Sequence, residues 1–264
     1  MFWQRAHLPE VPIAIPAFLG TAISLILSFK LSQSYDRWWE ARKVWGAIVN
    51  DSRTLVRQAL AFTDRRAAEQ ARELAHRQIA WCYCLGQSLR GLDWRTGAAE
   101  HLSPADIAEA EKHTNKPVAL LQLHAGQVAA LARDGHLSDF RRVAMDETLT
   151  RLTDSMGKAE RIRSTVFPKT YRVFLRAFMY VFLTLLSLAL AELKGPWQMA
   201  TTVVIAVPFF LLEKTATHMQ DPFANRPTDT SVTAIARTIE INLRQMLGES
   251  EVPPPLSPQG FYIM

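Results

Sequence analysis

Three long apolar stretches interrupt an otherwise polar chain. The first runs from Val11 to Phe29 without a formal charge, the second covers 173–193, and the third covers 196–212. A bilayer core of about 30 Å is crossed by roughly 20 apolar residues, each of which adds about 1.5 Å to a helix. The pattern therefore predicts three membrane-spanning helices. A buried helical hairpin in a soluble protein is the alternative.

Only Lys194 and Gly195 separate the second and third apolar stretches. Pro196 follows at the first position of the next helix, where its missing N–H leaves no hydrogen bond unmade. The sequence therefore predicts a tight transmembrane helical hairpin over 173–214.

The polar segment 31–172 has a helical periodicity throughout. Its apolar residues recur every three or four positions, and no part of it alternates with period two, which is typical of amphipathic helices in a bundle. Ser103 and Asn115 are predicted helix N-caps, while Gly91 and Gly135 are predicted to end helices. Segment 215–264 adds one more amphipathic helix and a Pro-rich tail. The predicted fold class is all-α, with transmembrane helices that continue into a cytosolic helical bundle.

Charge gives the expected orientation of these segments. The chain has 264 residues with 30 Lys+Arg against 25 Asp+Glu, a net charge of +5. Segment 31–172 is dense in arginine, which favours the cytoplasmic side. Segment 1–30 would then start outside the cell, so we expect a further helix upstream of its apolar stretch. The arginines alternate with acidic residues, which predicts a solvated helical surface and no nucleic-acid partner.

The sequence contains no pattern that is typical of a catalytic or cofactor site. It has neither of the glycine-rich phosphate-binding motifs, GxxxxGK[ST] and GxGxxG, and its seven histidines form no HExxH pair. Cys82 and Cys84, two positions apart in a predicted helix, point to different sides and are interpreted as small core residues. We therefore predict a protein that is not an enzyme and that holds no metal or cofactor.

Three motifs occur along the chain: SYDRWWEARKVWG, the segment Glu160–Tyr171 with the sequence ERIRSTVFPKTY, and DPF followed by Asp229. Their order and spacing resemble those of the bestrophin family, in its bacterial branch. Within these motifs, structural roles are expected for the positions that match the family pattern: Arg37, Trp38, Trp39, Glu40, Pro168, Asp221, Pro222 and Phe223.

The resemblance implies a homopentameric ion channel around a single axial pore. Aligned through the first motif, the narrow neck of the pore falls on Thr21, Leu25 and Phe29, and the lower cytosolic aperture falls on Phe167. Residues at i, i+4 and i+8 share one helix face, so five copies would stack three rings in the neck. Rings of apolar side chains gate a pore by dewetting. The alternatives are lipid-facing or interhelical positions for the neck residues and a core aromatic role for Phe167.

The resemblance further implies a multi-pass protein of a bacterial inner membrane that contacts lipid and passively conducts small monovalent ions. Chloride is the permeant ion by family, while cation permeability stays open. Animal members bind calcium through an acidic run, but here Arg226 lies between Asp221 and Asp229, so no such site is expected. The rival hypothesis is a non-conducting membrane scaffold whose Pro-rich tail recruits a cytosolic partner.

Overall fold

The computed structural model describes residues 11–165, 168–193, 195–258 and 260. These residues form helices and no strand, which confirms the all-α prediction for the described part of the chain. Two short 3-10 turns, Arg65–Ala67 and Ala99–His101, flank the second helix and its following loop. The α-helices are α1 Ala14–Phe62, α2 Ala68–Arg90, α3 Pro104–Glu111, α4 Lys116–Arg133, α5 Asp139–Ser164, α6 Lys169–Ala189, α7 Pro196–Met219 and α8 Val232–Met246.

The chain divides into two compact units. The first unit comprises Met1–Arg37 and Val166–Gln220, and the second comprises Trp38–Thr165 and Asp221–Met264. Helix α1, 49 residues long, belongs to both units, because it continues from the first apolar stretch into the polar segment without interruption.

The first unit contains helices of membrane-spanning length. Among the described residues, α1, Thr170–Ala189 of α6, and α7 are long and apolar enough to cross a bilayer. Only 11% of the most apolar 18-residue stretch of α7 is buried. An apolar helix with so few buried side chains requires lipid or another chain around it.

A small apolar core holds α1 and α6 together in the first unit. Ile23 and Leu27 of α1 are buried against residues of α6, among them Met179 and Phe182. Gly20 lies where α1 approaches α6, since a Cβ added there would be 3.1 Å from the Phe182 ring. Small residues at such positions let membrane helices approach closely.

The second unit has a larger core centred on α2. Trp45 of α1 and Trp81 of α2 are fully buried, and the Trp81 indole donates a hydrogen bond of 3.1 Å to the Pro117 carbonyl oxygen. Helix α8 crosses α2 at Gly86, where an added Cβ would be 3.2 Å from Val232. The amphipathic helices predicted for this segment therefore form a packed bundle.

The predicted helix ends are confirmed. The Ser103 hydroxyl accepts a hydrogen bond from the Asp106 amide, and the Asn115 side chain accepts one from the Val118 amide. Gly91, with φ 70°, ends α2 in the left-handed conformation that glycine adopts without strain.

Candidate functional site on the exposed face of the first helix

The N-terminal half of α1 has two opposite faces. Ile23, Leu27, Lys30 and Ser34 follow one another at intervals of four, three and four residues, and all are buried. These intervals mark one face of an α-helix. This buried face holds α1 against the rest of the first unit.

The three predicted neck residues lie together on the other face. Leu25 and Phe29 have exposed fractions of 60% and 61%, and Thr21 is also exposed. The Thr21 hydroxyl donates a hydrogen bond of 3.0 Å to the Ala17 carbonyl oxygen of its own helix, so its proton is already used. Thr21, Leu25 and Phe29 therefore form an exposed stripe without a formal charge.

Phe18 extends the stripe toward the N-terminus and was not among the residues predicted from the sequence. Its exposed fraction of 74% exceeds those of Leu25 and Phe29. The signal was present in the spacing, because Phe18 precedes Thr21 by three residues and Leu25 by seven.

A buried ion pair on the opposite face was also missed. The Lys30 Nζ lies 3.0 Å from Glu213 Oε1 and donates a second hydrogen bond of 2.9 Å to the Thr217 hydroxyl. The Thr217 hydroxyl in turn donates to Glu213 Oε1 at 3.1 Å, and Arg176 lies 3.6 Å from the same oxygen. Lys30 was detectable in sequence as a charge on the helix face that carries the apolar residues Ile23 and Leu27.

The first motif combines buried, half-buried and exposed residues. Arg37 is half-buried at the end of the first unit. In the second unit, the Trp38 indole donates a hydrogen bond of 3.1 Å to the Thr228 carbonyl oxygen, and its ring stacks on Trp39 at a centroid distance of 6.2 Å. Glu40 pairs with Lys43 at 2.6 Å on the helix surface. The hydrogen bond from Trp38 to Thr228 connects α1 to the loop that carries the third motif.

That loop is held by hydrogen bonds within it and by an ion pair to α5. The Asp221 carboxylate accepts a hydrogen bond of 3.4 Å from the Phe223 amide and pairs with Arg163 at 3.3 Å. The Pro222 carbonyl oxygen accepts a hydrogen bond from the Thr230 amide at 3.1 Å, while Phe223 is fully buried in the core of the second unit.

Asp229 also faces protein groups in this loop. Its carboxylate accepts a hydrogen bond of 2.9 Å from the Arg226 amide, while burial raises the pKa of Asp229 above its usual value. Asp221 and Asp229 thus both engage partners within the chain.

The predicted lower aperture, Phe167, lies outside the described residues, as does segment 1–10. Pro168 comes next and is the N-cap residue of α6. Tyr171, the last residue of the second motif, donates a hydrogen bond of 3.4 Å from its hydroxyl to the Ile26 carbonyl oxygen of α1.

The fold, with its three long apolar helices, defines an all-helical membrane protein. The family described as Bacterial/Fungal Bestrophin protein matches residues 2–245, and the chain therefore belongs to this family.

Relatives of known name cover almost the whole chain. A voltage-dependent anion channel-forming protein of Ralstonia nicotianae is 31% identical over 93% of this chain and 83% of its own length. The voltage-dependent anion channel-forming protein YneE of Escherichia coli is 31% identical over 93% of this chain and 80% of its own.

The fold has a counterpart among solved structures. The crystal structure of a bacterial bestrophin homolog from Klebsiella pneumoniae superposes with a TM-score of 0.87 at 29% identity. The match covers 92% of this chain and 90% of that one.

Proposed function

We propose that this protein is a pentameric anion channel of a bacterial inner membrane, with the exposed face of α1 turned toward a single axial pore. One observation carries the proposal: Thr21, Leu25 and Phe29 lie on the face of α1 that is opposite to the one held by the first unit. An apolar face left uncovered within one chain is available to line an axis shared with other copies.

Five copies of this stripe form a neck of stacked rings. Leu25 contributes a ring of aliphatic side chains and Phe29 a ring of phenyl groups, neither of which replaces the water that an ion sheds. The neck then gates by dewetting. Thr21 adds a ring of hydroxyl oxygens at one end, which makes that end wetter. Phe167 forms the second, cytosolic aperture in this proposal.

The proposed permeant ions are small monovalent anions, chloride among them, which move passively. The relatives in Ralstonia nicotianae and Escherichia coli are named anion channel-forming proteins. In the proposed topology, segment 31–172 lies in the cytoplasm and the exposed face of α7 contacts lipid.

Chloride efflux from liposomes that contain the purified full chain tests this function. The proposal predicts efflux at a rate proportional to the amount of protein, carried by a species that cross-links as a pentamer. A pentamer that supports no efflux of chloride or of cations would overturn it and favour the non-conducting scaffold. Efflux of potassium without chloride would support the proposed pore but contradict its preference for anions.

A further inference from the structure

A groove lies between α1 and α8 in the second unit, away from the three neck residues in sequence. Its volume is about 510 Å³, within the range of small-molecule sites. The side chains that line it carry two positive charges and no carboxylate: Arg53, Thr54, Arg57, Asn242, Gln245 and Met246. A groove of this composition favours an anion.

The contact between Arg53 and Asn242 leaves hydrogen-bond donors, and no free amide oxygen of Asn242, in the groove. Arg53 donates to the Asn242 Oδ1 through both Nε, at 2.9 Å, and Nη2, at 2.6 Å. The amide oxygen of Asn242 is therefore occupied, and its NH₂ group is left to donate elsewhere. Arg53 keeps its remaining guanidinium hydrogens in a fixed orientation.

Arg57 supplies the second charge of the groove. It follows Arg53 by one helical turn, and two like charges at this spacing repel each other. Within the described part of the chain, the Arg57 guanidinium has no hydrogen bond or ion pair with another residue, whereas Arg53 is fixed by Asn242. A bound anion between the two arginines would remove the repulsion and use the free donors.

We propose that this groove binds a soluble anion that carries a diphosphate group. Guanidinium groups bind phosphate oxygens through paired, charge-assisted hydrogen bonds, and two arginines match two phosphate groups. The volume exceeds that of a single phosphate, while the Asn242 and Gln245 amides add neutral donors along the groove. This site is independent of the proposed channel function, since it uses none of the neck residues.

Isothermal titration of inorganic pyrophosphate into the detergent-purified full chain tests the site. We expect one saturable site per chain. In Arg57→Gln the affinity for pyrophosphate should fall at least about tenfold, because charge-assisted hydrogen bonds are lost. Arg133→Gln is the matched control: Arg133 is exposed at the end of α4, outside the groove, and the substitution changes the net charge equally. It should bind as the wild type does.

A second variant and two other ligands distinguish specific pyrophosphate binding from non-specific attraction of anions. Asn242→Asp places a carboxylate among the groove donors and should abolish binding, with the unliganded melting temperature recorded to verify folding. Orthophosphate at matched ionic strength should bind more weakly than pyrophosphate, and vesicles of anionic lipid should not compete. Absence of saturable binding, or equal weakening in Arg57→Gln and Arg133→Gln, would overturn the proposal.

Discussion

Lys30 and Glu213 form a buried ion pair, with 3.0 Å between the Lys30 Nζ and the Glu213 Oε1, that connects α1 to α7. The side chain of Lys30 has no exposed surface, and that of Glu213 is only 6% exposed. Burial of two charges is costly unless each is well partnered, so the pair strongly restricts rotation of α1 about its axis. Because Lys30 lies on the buried face, its position keeps Leu25 and Phe29 on the opposite, exposed face.

The first prediction concerns the asymmetry of this pair. Glu213→Gln leaves Lys30 with only neutral partners, the Thr217 hydroxyl and the new amide, and should destabilise the protein by about 3–5 kcal/mol. Lys30→Met should cost less, because Arg176, 3.6 Å from Glu213, partly compensates the remaining carboxylate. The thermal midpoints of both variants in detergent measure the difference.

The double variant Lys30→Met/Glu213→Leu provides the control for this pair. Replacing both charges by apolar groups of similar volume is often neutral, so its midpoint should recover most of the loss. If Glu213→Gln melted at the wild-type temperature, the pair would contribute nothing to holding α1.

The second prediction concerns the neck. Leu25→Ala and Phe29→Ala should widen the proposed rings, ease wetting and raise single-channel conductance in planar bilayers. Leu211→Ala and Phe174→Ala are matched controls, since Leu211 and Phe174 are 58% and 54% exposed on α7 and α6. The controls should conduct as the wild type does. Equal conductance in all four variants would assign Leu25 and Phe29 to a lipid-facing surface.

The third prediction concerns acid stability. Burial lowers the pKa of His101 to about 4, despite the attraction of Glu240, and lowers that of His124 to about 3, with a further contribution from Arg77. Both groups therefore bind protons more readily in the unfolded chain, where the pKa is about 6.5. Stability should fall as pH decreases from about 6.5 toward 4 and should level off near 3, as measured by thermal midpoints.

His124→Gln isolates one of the two histidines in this pH dependence. His124 is completely buried, and neither of its ring nitrogens has a hydrogen-bond partner among the described residues. Its replacement should flatten the acid limb of the stability curve. An unchanged slope would mean that His124 is protonated in the folded protein without cost.

The fourth prediction concerns the core of the second unit. Arg77 of α2 donates to both carboxylate oxygens of Asp106, at 3.2 and 3.1 Å, and both side chains are buried. Asp106→Asn should destabilise the protein by about 1–3 kcal/mol, because it removes the buried carboxylate and leaves the Arg77 guanidinium only the half-exposed carboxylate of Glu73, at 3.1 Å, as a counter-charge. Asp139→Asn is the control: Asp139 is exposed and its pair with Arg142 spans 3.8 Å, so its loss should cost less than about 1 kcal/mol.

Local signals in the sequence predicted helix ends and apolar helices well. The caps at Ser103 and Asn115 form because each supplies an oxygen to the amide three residues further on. The spacing of Thr21, Leu25 and Phe29 also predicted correctly that they share a face. These features depend on residues within a few turns of one another.

Contacts between distant residues were not predictable in the same way. Lys30 and Glu213 are 183 positions apart, and Tyr83 donates to Glu240 across 157 positions. In sequence, Lys30 is detectable as a charge on the helix face of Ile23 and Leu27, but no local signal identifies Glu213 as its partner. Only the folded arrangement of the helices brings them together.

The reversal potential of the full chain in planar bilayers, recorded under a KCl gradient, tests the central claim most directly. An anion-selective pore lined by the exposed face of α1 predicts current that reverses near the chloride equilibrium potential. Phe29→Ala should enlarge that current, and Phe174→Ala should leave it unchanged. Reversal near the potassium equilibrium potential would contradict the anion selectivity, and the absence of any current would contradict the channel itself.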